Sequence, residues 1–228
     1  MDIKNILSHC DHTLLTTTAT WPEIKALCDD AIKYEVASVC IPPCHVPYAV
    51  AYLNGKVKVC TVIGFPNGYA TSSVKLAEAN AAIFDGVDEI DMVINVGKVK
   101  EHDYDYVKNE IKNIADLCHY SAPTGKRIVL KVIVETCLLT KEEIEKMCEI
   151  CYDVGADYIK TSTGFSTGGA TFGVVKLMVD TISKNYYNLK VKASGGISSL
   201  EDAQRYLDIG ADRLGTSKVV KEVKAREA

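Results

Sequence analysis

Val154–Gly155–Ala156–Asp157–Tyr158–Ile159–Lys160 reads as a helix end, a glycine turn, an aspartate and the opening of a strand. A glycine closing a helix in the left-handed region, then an acid before an apolar run, is the chemistry that an αβ turn requires. The same punctuation recurs at Phe84–Asp85–Gly86–Val87–Asp88 and at Ile209–Gly210–Ala211–Asp212. Outward from these joints, short β-rich runs alternate with longer amphipathic ones. Strands are expected near Cys10–Leu15, Ala37–Ile41, Lys58–Ile63, Glu89–Ile94, Ile128–Val134, Tyr158–Thr161, Lys190–Ala193 and Arg213–Gly215. Helices are expected near Pro22–Tyr34, Val46–Leu53, Ser72–Phe84, Tyr104–Tyr120, Lys141–Val154, Gly173–Ser183 and Ser199–Ile209.

Local signals support this reading. Pro22 falls near the start of its helix, where a missing N–H does no harm. Thr140–Lys141–Glu142–Glu143 has the spacing of a capping box. Runs such as Val132–Ile133–Val134 are apolar without alternation, which suits a parallel sheet buried on both faces. Eight strands with repeated αβ turns predict an α/β chain folded as one (β/α)8 barrel domain over residues 1–228. A doubly wound open sheet is the alternative, weakened because neither GxGxxG nor a P-loop follows the first strand.

The 228 residues carry 26 Lys+Arg against 30 Asp+Glu, a net charge of −4, with 47% hydrophobic residues. That length is ample for a core, and near-balanced charge excludes intrinsic disorder. A mildly acidic total argues against a dedicated nucleic-acid binder, which needs a basic face. The opening MDIKNILSHC lacks the apolar core of a signal peptide, and the apolar runs are too short to span a bilayer. The nine cysteines are therefore expected as reduced, mostly buried thiols in a cytoplasmic protein.

Active-site residues of such a barrel project from the C-terminal ends of its strands. Three consecutive strands each hold a lysine among apolar neighbours: Lys131, Lys160 and Lys192. One such lysine alone reads equally as a stem that snorkels to solvent. Three together place like charges side by side, which favours a neutral, nucleophilic amine. Lowering a lysine from about 10.4 to about 7 takes about 4.6 kcal/mol. One cation at about 5 Å in an effective dielectric of about 20 supplies roughly 3.3 kcal/mol, and partial burial completes the shift. Asp91 sits between the apolar Ile90 and Met92 and reads either as an interior ion-pair partner or as a proton shuttle. Asp11 either joins the same polar centre or serves as a turn acid.

Ser194–Gly195–Gly196–Ile197 follows the seventh strand and Gly215–Thr216–Ser217 the eighth, where such barrels bind phosphate. Gly164 and Ser166–Thr167–Gly168–Gly169 add donors on the same rim. His9–Cys10–Asp11–His12 holds ligand-type residues, but neighbours on a strand point to opposite faces, so no metal site is expected. Cys148 and Cys151 form a CxxC inside an expected helix rather than at a helix start after a strand, which argues against a redox dithiol.

Taken in order, DHTLL (Asp11–Leu15), DEIDMVINVG (Asp88–Gly97), LKVIVET (Leu130–Thr136), IKTSTGFSTGGAT (Ile159–Thr171), KASGGI (Lys192–Ile197) and RLGTS (Arg213–Ser217) resemble the deoxyribose-phosphate aldolases. The resemblance spans nearly the whole chain. It implies reversible cleavage of 2-deoxy-D-ribose 5-phosphate to D-glyceraldehyde 3-phosphate and acetaldehyde, within deoxyribose phosphate catabolism. Lys160 would form the Schiff base, Lys192 would perturb its pKa and move protons, and Asp91 would be a proton donor and acceptor acting through a water. Asp11, Thr13, Cys40, Lys131, Thr163, Gly164, Gly195, Gly196, Thr216 and Ser217 would contact substrate, the last four at its phosphate. The resemblance calls for no cofactor. The partners implied are small phosphosugars and aldehydes, without nucleic acid or membrane, and a homodimer is the assembly expected.

Two departures stand out. The second strand runs VCIPPCH, where many relatives have Asn followed by one Pro, and the tail KEVKAREA has no Tyr. Cys40 reads either as a thiol bordering the site or as a buried inert one. Two other functions remain open: a transaldolase-like or longer-chain imine aldolase, and a sugar-phosphate-binding regulator. Phosphate binding alone, however, needs none of Lys160, Lys192 and Asp91.

Overall fold

The computed structural model describes residues 1–120 and 125–227. Strands β1 (Cys10–Thr13), β2 (Ser38–Ile41), β3 (Lys58–Ile63), β4 (Glu89–Val93), β5 (Val129–Ile133), β6 (Tyr158–Lys160), β7 (Lys190–Ser194) and β8 (Arg213–Thr216) all pair parallel. They close in sequence order into a barrel, with β8 returning to β1. The helices are α1 (Ile3–Ser8), α2 (Trp21–Lys33), α3 (Val46–Leu53), α4 (Ser72–Phe84), α5 (Val96–Lys100), α6 (Tyr104–Tyr120), α7 (Lys141–Asp153), α8 (Phe172–Lys184), α9 (Leu200–Ile209) and α10 (Val219–Glu227). The expected (β/α)8 barrel is the observed fold, and the open doubly wound sheet is excluded.

Two helices show how the sequence sets their ends and faces. In α2, Thr20 and Glu23 form a capping box around Pro22, and in α7 Thr140 and Glu143 do the same. Each such cap contributes about 1 kcal/mol. In α2 the buried Ile24, Leu27, Cys28 and Ala31 follow helical spacing, so a single stripe packs on the barrel.

The recurring joints each fix a strand pair at the base of the barrel. Gly86, Gly155 and Gly210 take φ of 95°, 76° and 110°. After them, the carboxylates of Asp88, Asp157 and Asp212 accept from the N–H groups of Val59, Leu130 and Val191 at 2.8, 2.9 and 2.8 Å. The backbone N–H of each aspartate donates to the carbonyl of the same residue. A fourth joint, before β2, has the same shape but different residues. There Glu35 takes the positive φ of 51°, and Ala37 donates to the Cys10 carbonyl at 2.9 Å.

Three helices were not foreseen. Helices α1 and α5 are six and five residues long, too short to show periodicity. The third, α10, buries only Val219, Val220 and Val223 amid Lys and Glu, a pattern that reads as a charged tail. Expected helix-face lysines are mostly solvated, but Lys75 on α4 is fully buried. It donates to the Val93 carbonyl at 2.8 Å and pairs with the equally buried Glu110 at 2.9 Å.

Apolar packing lies mainly outside the barrel, between strands and helices. Inside, the register sets levels of four side chains drawn from alternate strands. Asp11, Cys60, Lys131 and Lys192 form one level, and Cys40, Asp91, Lys160 and Gly215 the level above. Beneath them lie Ser38, Glu89, Tyr158 and Arg213. The usual barrel filling is bulky and branched; this one is ionic. Its apolar part is a small crescent of Cys40, Cys60 and Val62 with Leu15 and Phe65 against it.

Candidate active site

Strand alternation brings the three lysines into the interior, but not at one depth. Lys131 and Lys192 share a level, and Lys160 stands above them at the floor of a cavity of about 330 Å³. Asp91 is the hub. Its Oδ2 accepts from Lys160 and from Lys192, each at 2.7 Å, and its Oδ1 accepts from Lys131 at 2.7 Å and from the Cys60 thiol at 3.2 Å. Asp11 binds Lys192, the Ser38 hydroxyl at 2.7 Å and Arg213 at 2.7 Å. It is therefore a member of the polar centre and not a turn acid. Glu89 completes the set, 2.6 Å from Lys131.

Four cations (Lys131, Lys160, Lys192, Arg213) thus face three carboxylates (Asp11, Glu89, Asp91), with lysine side chains no more than 4% exposed. Burial alone would strip the proton from Lys192, but Asp11 and Asp91 outweigh it and hold the group protonated. Lys131 is held charged in the same way, chiefly by Asp91 against the cost of burial. Burial pushes Asp91 up, yet Lys131, Lys160 and Lys192 together hold it well below the usual carboxylate range. Removing one member of such a set would leave an uncompensated charge at a cost of about 3–5 kcal/mol.

The cavity opens at the C-terminal ends of the strands. Thr13, Thr163, Gly164, Gly195, Gly196, Thr216 and Ser217 line it with Lys160. Asp11, Asp91, Lys131, Lys192 and Cys40 do not line it; they are wholly buried beneath its floor. Gly195 and Gly169 matter for close approach, because a Cβ on Gly169 would sit 2.4 Å from the Gly195 carbonyl oxygen. Gly215 and Thr216 belong to β8 itself rather than to the loop after it. The Thr216 hydroxyl donates to the Ile197 carbonyl at 3.0 Å and accepts from the Lys218 N–H at 3.1 Å, which ties the two phosphate-type loops together. Thr163 is bound through its hydroxyl and its N–H by Glu135, a buried acid at φ 55°.

Cys40 is fully buried, and its thiol is lowered by a hydrogen bond with Cys60. Two sets of ligand-type atoms, Cys40–Cys60–Asp91 and Asp11–Cys60–Glu89, gather within 4.8 Å. Their carboxylates already hold lysine or arginine cations, so a divalent ion would add to a positive surplus. Cys148, pushed up to about 12 by burial, and Cys151, raised by the same cause, are buried on α7, which leaves their thiolates unavailable.

The profile of the DeoC/LacD family aldolases matches residues 6–217. The chain belongs to that family. It is 53% identical to the deoxyribose-phosphate aldolase of Streptococcus agalactiae serotype Ia over 224 residues, covering 98% of this chain and 96% of that protein. The deoxyribose-phosphate aldolase of Streptococcus pyogenes serotype M4 gives the same identity and coverage. Among solved structures, the tetrameric deoxyribose phosphate aldolase from Aeropyrum pernix superposes with a TM-score of 0.87 at 31% identity, covering 99% of this chain and 93% of that one.

Within this aldolase, several residues at the site escaped the sequence reading. Glu89 lies two positions before Asp91 on β4, so the strand period alone could have paired them. Arg213 opens β8 two positions before Gly215, but its partners are distant in sequence. Lys218 and Lys221 line the cavity from the end of β8 and the start of α10, exposed and without an acidic partner among the described residues. Their signal was lost with the helix that carries one of them. Phe165, packed edge-on against Phe65 at 5.2 Å, also lines the cavity beside Gly164.

Proposed function

We propose that this aldolase cleaves 2-deoxy-D-ribose 5-phosphate reversibly to D-glyceraldehyde 3-phosphate and acetaldehyde, through a Schiff base on Lys160. The observation that carries the reading is that Lys160 and Lys192 donate to one oxygen of Asp91 at the floor of the cavity. The Lys160 amine adds to the C1 aldehyde and water leaves, giving an iminium. A base takes the C3 hydroxyl proton, the C2–C3 bond breaks, and its electron pair moves into the enamine. Protonation at C2 and hydrolysis then release acetaldehyde and the lysine. Asp91, held ionised by its ammonium partners, is a weak base, so its part is to orient a water and pass protons along it rather than to keep one. Lys192, held protonated, supplies the neighbouring positive charge and a proton. Asp11 and Lys131 hold this pair in place.

The phosphate belongs at Gly195–Gly196 and Thr216–Ser217, with Lys218 and Lys221 adding charge at the mouth. The 330 Å³ cavity above one amine suits a short phosphosugar rather than a longer chain. We read residues 1–228 as one catalytic domain acting in the cytoplasm. Nine unpaired thiols support that location, and among the described residues no helix is long and apolar enough to cross a membrane. Self-association into a homodimer belongs to the same reading, and sedimentation equilibrium tests it: a mass of one chain would overturn it.

Borohydride reduction in the presence of acetaldehyde is expected to mark Lys160, read by peptide mass. An adduct elsewhere, or one that survives Lys160→Ala, overturns the mechanism. In Lys192→Met the pH at which trapping is half-complete should rise by about 1–2 units. An unchanged profile would remove Lys192 from its electrostatic role.

A further inference from the structure

A second cavity near the barrel axis lies at the end away from the aldolase chemistry. It has a volume of about 590 Å³ and opens between the N-terminal ends of the strands. Lys58 opens β3 and Lys190 opens β7, four strands apart, so they face each other across this mouth. Both share the inward parity of Cys60 and Lys192, two positions further along their strands. Both are exposed, and neither has a carboxylate partner among the described residues. The depth of the cavity is formed by Arg213 and Tyr158. The Tyr158 hydroxyl accepts from Arg213 at 3.5 Å, and its own proton has no acceptor among the described residues. Arg127 and Asn188 lie on the wall.

The acid on this wall, Asp157, is already engaged. Its oxygens accept from Leu130 N–H at 2.9 Å, Arg127 at 2.7 Å and His119 at 3.0 Å. Arg127 is thus paired with Asp157, and Arg213 with Asp11 and Glu89, so the charge left without a carboxylate in this concavity is that of Lys58 and Lys190. Fields focus in such a cleft, and phosphate oxygens accept from ammonium and hydroxyl donors in short, charge-assisted bonds.

We infer that the N-terminal mouth of the barrel is a second anion site, one that binds a doubly charged phosphate, free or as a small monoester, between Lys58 and Lys190. It is separate from the phosphate position proposed above Lys160, which lies at the opposite end of the same strands. Equilibrium binding of radiolabelled inorganic phosphate to the full chain tests it. Two classes of site are expected. Lys58→Gln with Lys190→Gln should weaken one class at least about tenfold and leave the other intact; Lys218→Gln with Lys221→Gln should do the reverse. Borohydride trapping at Lys160 should be unchanged in the lower-mouth variant, which shows that it is folded. Phenyl phosphate competing better than inorganic phosphate for the lower class would identify a monoester as the ligand; equal competition would identify free phosphate. A single class in the wild type that the Lys58/Lys190 variant leaves unchanged would overturn the inference. So would two classes that both survive in that variant.

Discussion

The aspartates at the two depths of the barrel carry opposite duties. At the base, Asp88, Asp157 and Asp212 accept backbone N–H groups and lock neighbouring strands together. At mid-depth, Asp11 and Asp91 accept hardly any backbone; their oxygens go to ammonium, guanidinium, hydroxyl and thiol groups. The same side chain is thus a structural clamp where its partner is fixed in the chain and a chemical group where its partners are side chains. The lesson is that backbone partners near the surface mark the stabilising carboxylates, while full burial among charged side chains marks the reactive ones.

That contrast can be broken at either end. Asp91→Asn should lower cleavage by about 10²–10⁴-fold while the far-ultraviolet spectrum stays native; full activity would mean that Asp91 only neutralises lysines. Asp157→Ala should leave the rate per folded molecule unchanged but cost about 2 kcal/mol in denaturant unfolding, because the Leu130 N–H loses its acceptor. A rate loss without a stability loss would reverse the assignment. The pH dependence sharpens the point. Burial raises Asp157, but its bonds from His119, Leu130 and Arg127 hold it below its ordinary 3.8. Its contribution is therefore complete above the ordinary value and is lost as pH falls through 3.8 and below, so stability in Asp157→Ala should fall less steeply across that acid range. The smallest effect is expected at the rim, where Lys218→Gln should raise KM for the phosphosugar about tenfold and leave condensation of unphosphorylated aldehydes untouched. Equal effects on both substrates would place Lys218 outside phosphate recognition.

The base of the barrel was legible because its signals are local. Gly155 and Asp157 stand two residues apart, and the turn demands both. The fourth joint was invisible for the complementary reason. Glu35 adopts the left-handed backbone without a glycine and keeps an exposed pair with Lys4 at 2.9 Å. The lysines of β5, β6 and β7 stood out because a charge in an apolar strand is conspicuous, but their depths depend on register, which no single strand reveals. Lys75 was missed because a lysine on a helix ordinarily faces water; its burial follows from a Glu110 carboxylate on another helix. Lys218 and Lys221 were missed because α10 hides its three valines among charges.

The ionic filling of the barrel has a consequence for the medium in which the protein works. Dissolved salt weakens fields over about 8 Å at physiological strength, but only where its ions can enter. Asp91, Lys131 and Lys192 are sealed from solvent, while Lys218 and Lys221 stand in it. Brine should therefore loosen the grip on phosphate and leave the bond-breaking step insulated, so that a change in ionic strength alters how much substrate the protein captures rather than how fast it reacts.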